Sequence, residues 1–433
     1  MRISEETMCE KCVKGAEELV LELRKSLYGL KQAGRLWSQL LHERLVEAGF
    51  NHCESDMSFY WMNEGEDLVV VGVYVDDLLV TGTSAVKVDR LFESLASLSI
   101  KDLGCVSKFL GMRIELNGTG GYNLDQEEAI GDLLRANGLA EANSTRDSVG
   151  DDCYDAPADD VELLGSTSTG SGPTVRDFQS LVGILLWITR CTRPDIAFAV
   201  HKVTRQTHAP RMFDEKLAKR IARYLKGTAC SNITMTPAQE NCQELQLEAF
   251  SDADFAGDKV ERKSITGGVL RLNGMAVSWG ARKQGGVSLS TMEAEFVAAF
   301  EMARELLGLR EMLSEVGMAL ALPMKLYVDN QAAISQILGE ASSVKAKHID
   351  VRLKFLCDFL RRGVIAACYL RSEMMLADLM TVAHDTTKLA SLRGLLCIGL
   401  RKVMEGALEE ECWKLRIIEV ETAISARHHL LHA

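Results

Sequence analysis

The chain has 433 residues, 47% of them hydrophobic and 25% charged, with a formal net charge of −12. This accommodates two or three folded domains of ordinary composition and excludes a low-complexity or disordered chain. No apolar run approaches the ~20 residues of a membrane span, the N-terminus lacks a signal peptide's basic flank and apolar core, and the acidic balance argues against a chain coated throughout for nucleic acid. The twelve cysteines are scattered, which suits a reducing compartment better than a disulfide framework. The expected location is therefore intracellular, cytoplasmic or nuclear rather than secreted, with no membrane partner.

Residues 1–20 show no clear period, and Cys9 and Cys12 form a lone CxxC without the second pair or nearby His of a zinc site. From Val20 to Phe50 the spacing predicts a helix, with Trp37, Leu40, Leu41 and Leu45 as its stripe and Gly49 as its stop. Lys31, Gln32 and Arg35 supply donors near Gly29, either to solvent at a helix start or to a substrate. Leu68–Val75 is apolar apart from Gly72 and predicts a strand covered on both faces. Asp76 and Asp77 interrupt that run before Leu78-Leu79-Val80 resume it. Adjacent side chains on a straight strand point to opposite faces, so a tight hairpin at Asp76-Asp77 is needed to bring one or both carboxylates to a tip. There they are either turn aspartates or ligands for the divalent ions that nucleotidyl transfer requires.

Ala85–Ser97 reads as helix, Ile100–Gly104 and Phe109–Met112 follow, and Leu124–Leu139 reads as strand, turn and helix. Residues 142–175 shift to Ser, Thr, Gly and Asp, a linker composition. From Val175 to Thr228 the pattern is helical again, holding Phe178, Leu181, Leu185, Leu186 and Trp187. Lys202–Lys226, which includes Lys219 and Arg223, is rich in Lys and Arg, as is Lys345–Arg362. Each is either a solvated helix face or a contact to a phosphate backbone.

The last third alternates like a strand from Leu245 to Asp252 and ends on Ser251-Asp252-Ala253-Asp254. Two more strands flank the hairpin turn Asn273-Gly274. Ser290 and Glu293 fit the capping box of a long helix that Gly317 closes, with Met292, Phe296, Ala299, Ala303 and Leu306 buried. A strand to Asp329, helices over Gln331–Leu338 and Val351–Arg362, a strand over Val364–Leu370 and a helix near Asp378 complete the order β-β-β-α-β-α-α-β-α. Glu293 fits a capping role, while Glu295 lies beside the buried stripe, one turn before Ala299. Asp254 is an alternative to Asp252 on the same strand face. Asp350 suits an N-cap and His348 a structural role.

These motifs carry a resemblance. Tyr74-Val75-Asp76-Asp77 resembles the tyrosine-X-aspartate-aspartate motif of reverse transcriptases, and Lys25 to Trp37 (KSLYGLKQAGRLW) resembles the version in copia-type LTR retrotransposons. Cys191-Thr192-Arg193-Pro194-Asp195-Ile196 is similar to the signature between polymerase and ribonuclease H in copia-type polyproteins. The element order of the last third is similar to the ribonuclease H fold. The resemblance covers roughly Leu21 to Thr381 and implies a mixed α/β (α+β) fold. Its parts are a partial reverse-transcriptase palm and thumb (1–141), a polar linker (142–175), a helical connection (176–244), a ribonuclease H-like mixed sheet with flanking helices (245–383) and a tail of unknown role (384–433).

By that resemblance Asp252, Glu295, Asp329 and Asp378 hold two Mg2+ (or Mn2+) ions for hydrolysis of the RNA strand of an RNA–DNA hybrid. Asp76 and Asp77 belong to the polymerase motif. Lys31, Gln32, Arg35, Arg193, Lys219 and Arg223 contact nucleic acid or nucleotide. Template RNA and DNA and other element-encoded proteins are the implied partners, within an element particle or the nucleus. The departures are that residues 1–20 show no counterpart of the family's first palm aspartate, so an N-terminally truncated polymerase is expected. Arg371-Ser372-Glu373-Met374 holds no His, and Met380-Thr381-Val382 stands where the family reads leucine-threonine-lysine. An inert remnant or a nucleic-acid-binding module is the alternative reading.

Overall fold

A computed structural model describes residues 30–98, 100–150, 162–165, 172–236, 244–339, 347–400 and 415–420. The Cys9–Cys12 pair and Gly29 lie outside these, as do the side chains of His348 and Asp350. The described residues form two compact units, one within Met1–Cys53, Met57–Gly104 and Trp413–Ala433, the other within Glu54–Asp56 and Cys105–Cys412. No helix among them is long and apolar enough to cross a membrane.

In the first unit, helix α1 (Ala33–Glu47) buries Leu41 and Leu45 and packs Trp37 beside them. Leu40, placed in the stripe by the sequence, faces solvent, because one residue is a 100° step away from the 37-41-45 row. Strands β2 (Phe59–Glu64), β3 (Asp67–Tyr74) and β4 (Asp77–Gly82) form an antiparallel meander. β3 buries Val69 and Val71 while their neighbours stay half-exposed, which corrects the expected double-sided cover. α1 and α2 (Ala85–Leu95) contribute to a single core layer with the sheet, and alternation follows.

The sheet order is β1 (Asn51–His52), β2, β3, β4, β16 (Leu415–Val420), β5 (Ile100–Cys105). β16 comes from the tail for which the sequence suggests no role. It runs antiparallel to β4 with Glu419 opposite Asp77, buries Ile417 and Ile418, and carries Arg416, which pairs with Asp89 at 2.5 Å and with Asp102.

The second unit contains two sheets. β6 (Lys108–Phe109), β7 (Met112–Leu116), β8 (Tyr122–Asp125), β9 (Ser231–Met235) and β15 (Ile398–Leu400) form one. Helix α3 (Glu127–Ala136) and the helices α4 (Val175–Cys191), α5 (Ala197–Thr204) and α6 (Met212–Gly227) share a core with it. α4 starts at a capping box in which Thr174 and Asp177 satisfy each other's backbone N–H. The described part of the polar 142–175 stretch is tied to α6: Asp147 pairs with Arg220 at 2.6 Å and Val149 is buried.

The other sheet has the order β12-β11-β10-β13-β14, from β10 (Leu247–Asp254), β11 (Ile265–Leu272), β12 (Met275–Lys283), β13 (Met324–Val328) and β14 (Ile365–Tyr369). β10 to β12 are antiparallel, and β13 and β14 are parallel to β10. Asn273 and Gly274 both take positive φ, 50° and 82°, as the tight β11–β12 turn requires. Helices α7 (Thr291–Glu315), α8 (Gln331–Ile337) and α9 (Lys347–Arg361) follow in sequence. Alternation divides the sheet: Leu247, Ala249 and Leu270 share a core with α7 to α9, while Phe250, Val269 and Ala276 share one with the connecting helices. This is the mixed ribonuclease H-like sheet anticipated from the element order. The segment at Asp378 is a 3-10 turn, Leu376–Met380, rather than an α-helix, with α10 (Thr386–Leu395) beyond it.

Candidate metal centre

Asp252 lies one residue past the Ser251↔Val328 pair of the parallel β10–β13 ladder, and Asp329 one residue past it on the other strand. Both carboxylates therefore sit at one end of the parallel β10–β13 ladder, where open α/β sheets place ligands. Glu295 enters from the first turns of α7, whose start is fixed by Ser290 and Glu293. Ser290 Oγ accepts from the Glu293 N–H, and Glu293 Oε2 accepts from the Leu289 N–H at 2.8 Å. Buried Gln284 adds a tie, donating to Thr266 Oγ1 and to the Ala294 carbonyl, each at 3.0 Å.

Carboxylate oxygens of Asp252, Glu295 and Asp329 all lie within 4.8 Å of one another, the one such acidic or His/Cys triplet among the described residues. Asp254 is not in it. Glu295 is 7% exposed, and its Oε2 is buried without a hydrogen-bond partner. Burial, then the nearby Asp252 and Asp329 carboxylates, push Glu295 up to about 9. Burial, with Asp378 and Asp329 adding repulsion, pushes Asp252 to about 7 despite donation from Thr381. Oxygens sharing a Mg2+ at ~2.1 Å sit at most ~4.2 Å apart, so a small inward movement closes the triplet on an ion. A hard-oxygen set with one orphaned buried acceptor fits such an ion.

Asp378 approaches from the Leu376–Met380 turn, is 7% exposed, and directs Oδ2 to Lys388 Nζ at 2.5 Å. Burial raises its carboxyl, and the Lys388 ammonium opposes that. The sequence therefore identified four acids, of which three converge and the fourth is turned to a lysine. It missed the groups that hold them. Thr381 Oγ1 donates to Asp252 Oδ2, Ser372 Oγ donates to Asp329 Oδ2 at 2.9 Å, and Gly267, opposite Asp252 in register, lets the 3-10 turn approach. A Cβ there would meet Thr381 Cγ2 at 2.6 Å and the Ala377 carbonyl at 2.7 Å. The threonine that Met380-Thr381-Val382 shares with the family's leucine-threonine-lysine was the available signal.

The other candidates are dispersed. Asp76 and Asp77 do not share the hairpin tip: the loop is Val75-Asp76, and Asp77 already pairs with Tyr74 in β4, because Val75 takes a positive φ of 56°. Trp37 Nε1 donates to the Val75 carbonyl at 2.7 Å and anchors α1 to this turn. Lys31, Gln32 and Arg35 are exposed at the start of α1.

Arg193 is not available to nucleic acid. It is fully buried, with Nε and Nη2 on the two Asp195 oxygens at 2.8 Å and further donation to Thr228. Burial pushes Asp195 up, but Arg193 prevails and the carboxyl rests at about 2. Much of the basic Lys202–Lys226 stretch is also paired internally: Lys219 with Glu215 at 2.5 Å, Arg205 with Asp258 at 3.4 Å, and Arg220 with Asp147. Arg223 is half-buried.

Residues 9–149 match the family model described as reverse transcriptase (RNA-dependent DNA polymerase). The chain is 32% identical over 369 residues to the retrovirus-related Pol polyprotein from transposon RE1 of Arabidopsis thaliana, covering 85% of this chain and 24% of the relative. It is 31% identical over 373 residues to that from transposon TNT 1-94 of Nicotiana tabacum, covering 85% and 27%. With a protein assigned to transposon Ty5-1 in Saccharomyces cerevisiae it shares 31% identity over 291 residues, covering 67% of this chain and 90% of that protein. The chain thus spans about a quarter of the length of the plant Pol polyproteins. It belongs to the copia-type retrotransposon Pol polyproteins and carries their reverse transcriptase region.

Proposed function

We propose that this chain hydrolyses the RNA strand of RNA–DNA hybrids at a divalent-metal centre formed by Asp252, Glu295 and Asp329, with Asp378 as an additional ligand. The observation that carries this reading is the carboxylate triplet with the buried, unpartnered Glu295 Oε2. Mg2+ or Mn2+ bound there supplies activation of the attacking water and stabilisation of the leaving oxygen. Asp252 is oriented by Thr381 and Asp329 by Ser372. Glu295, held protonated at neutral pH by burial and its acidic neighbours, gives up its proton when the centre is filled, which couples metal affinity to pH.

The reverse transcriptase region supports RNA-directed DNA synthesis as the activity of the larger polyprotein. Among the described residues no third acidic side chain groups with Asp76 and Asp77.

The test uses the full chain on a labelled RNA–DNA hybrid with Mg2+, against Asp329→Asn. Magnesium-dependent cleavage that falls on the order of 10²-fold or more in the variant is expected for loss of a metal ligand. A folded wild-type sample that leaves the RNA intact sinks the nuclease reading and favours an inert remnant.

A further inference from the structure

The fourth acid lies outside the triplet, and its Oδ2 meets a lysine. Lys388 stands in the first turn of α10, where its backbone N–H is held by the Asp385 N-cap at 2.9 Å. From that fixed base Nζ reaches Asp378 Oδ2 at 2.5 Å. The side chain of Lys388 is 33% exposed and that of Asp378 9%, so the ammonium has a way out to solvent while the carboxylate does not. His384, the other nearby basic group, has its ring half-buried. Lys388 is the cation paired with the Asp378 carboxylate.

We propose that Lys388 is a built-in counter-cation that sets the metal stoichiometry of the centre, an inference resting on the metal-site reading above. With Nζ on Asp378, the chain accepts one divalent ion among Asp252, Glu295 and Asp329. A second ion, which needs Asp378, enters only when Lys388 leaves it. Two cations competing for one carboxylate exclude each other, and a fixed ammonium a few ångströms from a divalent ion weakens that ion by repulsion. Lys388 is therefore a positioning residue: it acts through Asp378 and governs when the centre is fully loaded.

Mn2+ titration of the full chain, by calorimetry and by electron paramagnetic resonance of free ion, tests this without relying on turnover. Wild type is expected to take one ion per chain in its tight phase. Lys388→Met should add a second, tightened by about tenfold, and Lys388→Arg should behave as wild type. Asp378→Asn placed on Lys388→Met should remove the gained ion and leave the first. Two ions of similar affinity in the wild type overturn the proposal, and that measurement stands alone should Lys388→Met fail to fold. One ion in both wild type and Lys388→Met also overturns it, while leaving the metal site intact. No ion bound by a folded wild type overturns the metal-site reading itself, and the role of Lys388 with it.

Discussion

Asp195 and Glu295 are both nearly removed from water, within the same compact unit, yet their carboxyl groups are driven in opposite directions. Asp195 rests at about 2 because Arg193 overrides the effect of burial. Glu295 rises to about 9 because burial is reinforced by Asp252 and Asp329. Burial is common to the two, and the partner decides. Around Asp195 every charge is answered from within the chain: Arg193 takes both oxygens, Tyr224 Oη donates at 2.7 Å, and Arg393 lies at 3.6 Å. Around Glu295 like charges are gathered, and Lys388 answers only Asp378. The first arrangement secures a fold. The second is left with like charges together, which the divalent ion proposed above would neutralise.

The largest way to break this contrast is to remove the cation from the first site. Arg193→Ala leaves Asp195 buried with the Tyr224 hydroxyl and the more distant Arg393, and should lower unfolding free energy by about 3–5 kcal/mol in a denaturant titration. Lys219→Ala, which removes an i,i+4 pair with Glu215, should stay within ~0.5 kcal/mol. If both variants shift the midpoint equally, Arg193 is not the structural knot described here.

A smaller blow falls on the support of the second site. Gly267→Ala drives a Cβ into the Ala377 carbonyl and Thr381, and backbone cannot yield as a side-chain end can. Overpacking of this kind costs about 1–3 kcal/mol. The turn that carries Thr381 should withdraw from Asp252, and Mn2+ affinity should fall roughly tenfold, as for loss of a ligand's hydrogen-bond partner. An unchanged affinity in a destabilised variant would show that Thr381 does not orient Asp252.

How much of this was readable in advance differs between the sites. Asp252, Glu295 and Asp329 could be selected because the resemblance to the ribonuclease H fold assigned an acid to each of two strands and to the start of the long helix, where Glu293 was set aside by its capping role. Asp378 was legible as an acid but not as the partner of Lys388, since that contact depends on a 3-10 turn and on where α10 begins. Arg193 was misjudged for a related reason. A Thr-Arg-Pro-Asp string carries no sign of burial, and only the packing of α6, which brings Tyr224 to Asp195, turns its arginine inward. Nor did any local pattern mark Leu415–Val420 as a strand beside β4, because its partners lie more than 300 residues away.

Removing the charge from the second site instead should help the metal-free protein. A carboxyl whose pKa rises on folding, from 4.5 to about 9 for Glu295, makes the folded state bind the extra proton between those values. Stability therefore falls as pH rises through that window and levels off above it. Glu295→Gln abolishes this loss. In chelator the variant should match wild type near pH 5 and exceed it by more than ~1 kcal/mol at pH 9, with Mn2+ reversing the order. Parallel pH profiles for the two proteins would mean that Glu295 is not held protonated.

The first unit's acidic turn shows a third arrangement, in which backbone strain rather than charge is held. Val75 adopts φ 56°, a region that β-branched residues avoid at a cost of order 1–3 kcal/mol, while its side chain is 55% exposed and contributes little packing. The carbonyl that receives Trp37 Nε1 belongs to this same residue, so the anchor needs only the backbone. Val75→Gly keeps that hydrogen bond and relieves the strain, offset by the greater freedom of glycine in the unfolded chain. The net effect should be a gain of no more than ~1 kcal/mol, read as a rise in Tm with the Trp37 fluorescence unchanged. A clear loss of stability would mean that the Val75 side chain, and not the Trp37 anchor, holds Asp76 and Asp77 in place.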